Sequence, residues 1–204
     1  MLLKIIICFL LIFSISSEVY AAKYTSKFDL YFKRSTENYF PLFDFRHFKA
    51  QAMQESRLDP SATSKIKTKH GWIEGASGLM QLMKPTAADL GLTTKDMRYD
   101  PEMNIDAGIR YMKQMWDFWY NRDSLMSYAD RMRIARASYN AGAGNLQKAW
   151  RLSLSSHSWK SVEQKLPQIT GERSQETLSY VPRIEKFYHD MSGLDEEKVL
   201  NNYR

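Results

Sequence analysis

The stretch Gln51-Ala-Met-Gln-Glu55-Ser56-Arg-Leu-Asp59-Pro60 puts an acid on the side of a helix that ought to be apolar. Turning the preceding residues by about 100° each brings Phe45, Phe48, Ala52 and Glu55 into one narrow sector. Pro60 disfavours the helical conformation for Asp59, so a helix from about Leu42 to Arg57 should stop at or before that point. A carboxylate on a buried stripe is costly as an anion. Desolvation raises its pKa towards what a general acid working near neutral pH requires. Taken alone, the stretch also fits an amphipathic helix whose last turn returns the carboxylate to water.

Outward from this point the chain reads as a succession of helices. On the N-terminal side, Lys23 to Phe40 is aromatic-rich and mixed in charge, and one or two helices ending before Pro41 should pack on the outside of the domain. On the other side, Pro85 suits the first turn of a helix running to Leu90, with Gly91 as its stop. Pro101 to Tyr120 carries Ile105, Gly108, Ile109, Met112, Met115, Trp116 and Trp119 at helical spacing. That stripe reads as core, with Trp119 and Tyr120 the members that could face a groove. Further helices are expected at Asp130–Tyr139 and Asn145–Leu152, then a short one from Val162 to Ile169 broken by Pro167. Glu172–Tyr180 and Pro182–Met191 should be separate segments, because Pro182 cannot continue the hydrogen-bond ladder.

Strand signals are scarce. Lys65 to Glu74 is polar and basic, with a single Trp72, and reads as a surface loop or a small hairpin near residues 64–78. Its lysines could touch an anionic ligand or simply be solvated. Gly75-Ala-Ser-Gly78-Leu79-Met80-Gln81-Leu82-Met83 is a flexible turn feeding a short apolar segment; it lacks the Gly-Lys-Ser/Thr ending of a phosphate loop. The fold class expected is all-α, or α-dominated, in a single domain.

The chain begins Met1-Leu-Leu-Lys4, is apolar from Ile5 to Ile15, and turns polar at Ser16-Ser-Glu18 before Val19-Tyr-Ala21. That is the layout of a signal peptide, and cleavage is expected after Ala21. The alternative is an uncleaved anchor, for which the apolar run is short. Cys8, the one cysteine, would leave with the leader, so the exported chain would rely on its core without disulfides; about 180 residues are enough for that. Losing Lys4 and Glu18 leaves the formal charge at +6. A basic exported surface suits an anionic partner in the cell envelope and argues against nucleic acid.

Several motifs stand in a recognisable order. Glu55-Ser56-x-x-Asp59-Pro60-x-Ala62-x-Ser64 is followed by Gly75-Ala-Ser-Gly78-Leu79-Met80-Gln81-Leu82, by Asn104-Ile105-x-x-Gly108-x-x-Tyr111, by Tyr139-Asn140-Ala141-Gly142, and by Glu176-Thr177-x-x-Tyr180-Val181. From about Phe45 to Tyr188 the chain resembles the soluble lytic transglycosylases, on the goose-type branch of the lysozyme fold. After the leader at 1–21, the expected division is an N-terminal helical extension at 22–44, a lysozyme-like catalytic domain at 45–191, as the resemblance implies, and a tail at 192–204. It implies cleavage of the β-1,4 bond between N-acetylmuramic acid and N-acetylglucosamine in peptidoglycan, without a metal or other cofactor, by a periplasmic monomer.

Residue by residue, the resemblance casts Glu55 as the single catalytic acid and base. Ser64 would bond or orient the substrate's N-acetyl group, Gln81 and Met83 would line the glycan cleft, and Tyr139 would aim its hydroxyl at the carboxylate or the sugar with Asn140 beside it. Glu176 would support the site. Each has a structural alternative: Tyr139 and Glu176 as buried polar groups holding helices together, Gln81 as a cap on local backbone. The ten residues between Ser64 and Gly75 exceed what many relatives carry, which leaves the position of Ser64 open. Glycosidases ordinarily use two carboxylates. Asp59, Asp100 and Asp106 are the nearby candidates, and none is compelling. Two other functions remain at this stage: a muramidase of the same fold that uses water, and a non-catalytic glycan-binding part of a secretion or conjugation apparatus.

Overall fold

The computed structural model describes residues 24–154 and 157–203. The expected leader, its cleavage point and Cys8 lie outside the described residues. Helices dominate, with one three-stranded antiparallel sheet in the order β1-β2-β3. In chain order the elements are α1 (Asp29–Tyr39), α2 (Arg46–Ser56), β1 (Thr63–Thr68), β2 (Gly71–Ser77), β3 (Leu82–Met83), α3 (Lys84–Asp89) and α4 (Lys95–Tyr99). They continue with α5 (Pro101–Tyr120), α6 (Tyr128–Ala141), α7 (Ala143–Leu152), α8 (Trp159–Glu163), α9 (Leu166–Thr170), a 3-10 turn (Gly171–Arg173), α10 (Ser174–Ser192) and α11 (Glu196–Asn201). Among the described residues no helix is long and apolar enough to cross a membrane.

The core is built around α5, whose stripe from Ile105 through Met112 to Trp119 is buried as its spacing predicts. Trp119 is wholly core: its indole N–H donates to Ser138 Oγ at 2.8 Å, so it faces no groove, whereas Tyr120 is 52% exposed. α1 packs one face inward: Phe28 and Phe32 join the same core cluster as α2 and α5, while Leu30, Lys33, Arg34 and Glu37 stay exposed.

Pro182 does not divide the last long helix. α10 runs unbroken through it, since the proline removes one ladder bond while Tyr180, Val181, Ile184 and Tyr188 bury the same face on both sides of it. Pro167 likewise starts α9 where a break was expected, occupying a first-turn position where its missing N–H costs nothing. Residues after 192 form α11, docked through buried charge: Glu196 accepts from both Arg136 Nη atoms at 2.7 Å and sits 2.6 Å from His47 Nδ1. The hairpin is present, its two strands joined through Lys69 and His70.

Candidate active site

Glu55 is the next-to-last residue of α2, and what ends the helix fixes where the carboxylate lies. Arg57 (φ 58°) and Leu58 (φ 62°) both adopt the left-handed conformation, at roughly 1–2 kcal/mol each for residues with a Cβ. Tertiary contacts hold the strain: Leu58 is buried, and the Arg57 guanidinium lies 4.9 Å over the Phe187 ring. Ser56 then pins the helix end, its hydroxyl bonding the Leu79 carbonyl at 2.8 Å. The loop it grips is held from below by Asn104, which accepts from Met80 N at 2.8 Å and donates to the Ser77 and Arg98 carbonyls. A Cβ on Gly78 would stand 2.5 Å from the Arg98 oxygen, and one on Gly108 would stand 2.5 Å from Met80 Cβ. Both glycines are there for close approach.

Glu55 is half-buried, and the Tyr180 hydroxyl donates a short hydrogen bond to its Oε1. Burial pushes the carboxyl up to about 8; the Tyr180 bond works against that shift, and the Glu176 charge adds to it. The negative end of the α2 dipole also opposes ionisation at this position. Burial and the neighbouring Glu55 charge raise both Tyr180 and Tyr139 well above the ordinary phenol value, so both remain neutral donors. Glu176 lies one turn before Tyr180 on α10, and Asn140 ties it to the end of α6. Asn140 donates to Glu176 Oε1 at 3.3 Å and accepts from Thr177 Oγ1 at 2.7 Å.

The structure gathers Glu55, Tyr139, Asn140 and Glu176, but not all in the expected poses. Tyr139 does not bond the carboxylate: its hydroxyl donates to the Met80 carbonyl at 2.6 Å, and its ring packs 5.0 Å from Tyr111. Gln81, in the left-handed region at φ 45°, spends its amide N–H groups on the Ala62 and Gly78 carbonyls at 3.0 and 2.9 Å, as a backbone cap does. Ser64 sits at the irregular end of β1 and accepts from Ala76 N at 2.8 Å, which leaves its own proton to donate. Met83 is 42% exposed on β3.

Tyr180 received no role from the sequence. The available signal was its position four residues after Glu176, which puts both on one face of a helix. The other carboxylates are occupied elsewhere. Asp59 accepts from Ser61, Asp100 caps α5 at Met103 N, and Asp106 accepts from Ser35 and Tyr39. The second carboxylate whose charge reaches Glu55 is Glu176.

The model of the transglycosylase SLT domain family matches residues 43–162, more than half of the chain. The chain belongs to the transglycosylase SLT domain family. Its relatives include proteins named membrane-bound lytic murein transglycosylase F. The one from Vibrio cholerae is 32% identical over 179 residues, covering 80% of this chain and 31% of the relative. The one from Shewanella frigidimarina is 31% identical, covering 79% and 34% respectively. This SLT chain thus spans about a third of the length of those curated relatives. Its fold is that of the 70 kDa soluble lytic transglycosylase from Escherichia coli, with a TM-score of 0.61 and 24% identity over 89% of this chain and 27% of that one. A Pseudomonas aeruginosa lytic transglycosylase shares the fold at a TM-score of 0.55 and 20% identity, covering 84% of this chain and 25% of that one.

Proposed function

We propose that the chain is a peptidoglycan lytic transglycosylase of the cell envelope in which Glu55 is the sole acid and base. The observation that carries this reading is the environment of Glu55. It is a carboxyl held protonated by burial, at the end of a helix, with a neutral tyrosine bonded to one oxygen. The relatives' name, lytic murein transglycosylase, supplies the substrate class.

The reaction then runs on one group. Glu55 gives its proton to the glycosidic oxygen as the bond to C1 of the muramic acid breaks. The oxocarbenium charge is met by the sugar's own 2-acetamido oxygen. Glu55, now ionised and hydrogen-bonded to Tyr180, takes the proton from the C6 hydroxyl, and that oxygen closes on C1 to give a 1,6-anhydro ring. The attacking hydroxyl is tethered, which lets it compete with water. Glu176 acts on this scheme through charge, helping to keep Glu55 protonated before substrate binds. Ser64, Gln81, Met83, Tyr139 and Asn140 shape the glycan-binding surface; Tyr139 does so by holding the Met80 carbonyl.

Glu55→Gln should abolish release of muropeptides from purified sacculi and leave the circular-dichroism spectrum unchanged. Clearance near the parent rate by that variant would sink the assignment. The mass of the products tests the ring closure: anhydro ends are lighter than hydrolysed ends by one water.

A further inference from the structure

We propose that the groove between the hairpin and α4 is a subsite for the acidic stem peptide that hangs from the glycan strand, an inference that rests on the peptidoglycan reading above. The groove has a volume of about 690 Å³, and Lys65, Trp72, Glu74, Lys95 and Tyr99 are among its walls. Strand pairing explains how they meet. Lys65 lies opposite Glu74 and Lys67 opposite Trp72, and directly opposed residues of an antiparallel pair share a face.

Trp72 and Glu74 share one face of β2, but the pairing slips by one residue between Glu74 and Ser77, so that face does not continue to Ala76 and its partner Met83. The groove instead adjoins the glycan-binding surface proposed above through Ser64, which is another of its walls.

The charge of this face suits a carboxylate ligand. Glu74, the acidic residue of the hairpin, is taken up by Arg98 Nη2 at 3.1 Å and the Tyr99 hydroxyl at 3.2 Å. Lys65, Lys67 and Lys95 form no ion pair among the described residues. Trp72 is 65% exposed beside them, a large aromatic surface in water. Lysines have little to offer the sugar backbone itself. Its lactyl acid is spent in the amide bond to the peptide, whereas the peptide carries free carboxylates. A peptide leaving the strand beside Ser64 meets the lysines with its carboxylates and Trp72 with its aliphatic side chains.

Two measurements decide the matter. In the first, kcat/KM is compared on peptide-bearing strands and on strands stripped by an amidase, for the parent and for Lys65→Glu/Lys95→Glu. The ratio between the two substrates should fall about tenfold in the variant. An unchanged ratio overturns the subsite, because the lysines then serve the sugar, the fold or nothing. In the second, the full chain is titrated with the free stem tetrapeptide and followed by NMR. Shifts should centre on the Trp72 indole N–H and the hairpin amides. Shifts elsewhere, or none, overturn it, as does displacement of the hairpin signals by phosphatidylglycerol vesicles but not by peptide. A chain inactive on both kinds of strand would defeat the transglycosylase reading, and the titration would still decide the subsite.

Discussion

At the scale of single residues, the proposed chemistry turns on one hydrogen bond. Tyr180 lowers the pKa of Glu55 while burial raises it to about 8, so the bond limits how far the carboxyl is pushed and fixes which oxygen stays bare. Tyr180→Phe removes the bond and leaves the burial. A hydrogen bond to a charged group is worth about 1.5–3 kcal/mol, so kcat should fall roughly ten- to hundredfold. The alkaline limb of the pH–rate profile, set by loss of the Glu55 proton, should move above about 8. A limb that moves to lower pH, or an unchanged kcat, would contradict this account. Glu55 itself was legible from sequence because its anomaly is local: an acid in register with Phe48 and Ala52. Tyr180 was not, since 125 residues separate the partners and only the fold brings them together.

At the scale of elements, the glycines and small polar residues around the site act as spacers between backbones. Gly108 lets the Met80 turn lie directly on α5, and Met80 in turn offers its carbonyl to Tyr139. Gly108→Ala would drive a methyl against Met80 Cβ and Cγ, atoms too near the backbone to swing away. A loss of about 2 kcal/mol is expected in urea denaturation, together with impaired cleavage as the Tyr139 bond shifts. α5 was read to the residue because its stripe is long and capped by Asp100-Pro101. The unbroken α10 was not, because local propensity at Pro182 speaks against it and only packing on α2 overrides that preference. The hairpin was ambiguous for a related reason. Its strands are exposed over most of their length, so no apolar alternation marked them until pairing supplied it.

At the scale of the whole molecule, the two ends of the described chain close around α2. α1 brings Phe28 and Phe32 to the core, and α11 brings Glu196 to His47 and Arg136. Burial works against the Glu196 charge, but the Arg136 guanidinium overcomes it and holds the carboxyl down to about 2. Its folded pKa lies below the unfolded value, so its stabilisation is complete above about 4.5 and is lost as pH falls through about 2. Glu196→Gln leaves the buried Arg136 without a counter-charge and should cost about 3 kcal/mol at pH 7. The gap from the parent should hold down to about pH 4.5 and close towards pH 2, as measured by denaturant titration across pH. This network left no trace in the sequence, where a histidine at 47 and a glutamate at 196 look unrelated.

The same closure governs when the site can exist. Glu55 is made early in the chain, but its hydroxyl partner arrives at residue 180 and the anchor of its helix at residue 196. A nascent chain short of these positions has the acid without the pocket that keeps it protonated, in contact terms a late, long-range closure. The fold therefore completes the surroundings of Glu55 only once residues 180 and 196 have joined the chain.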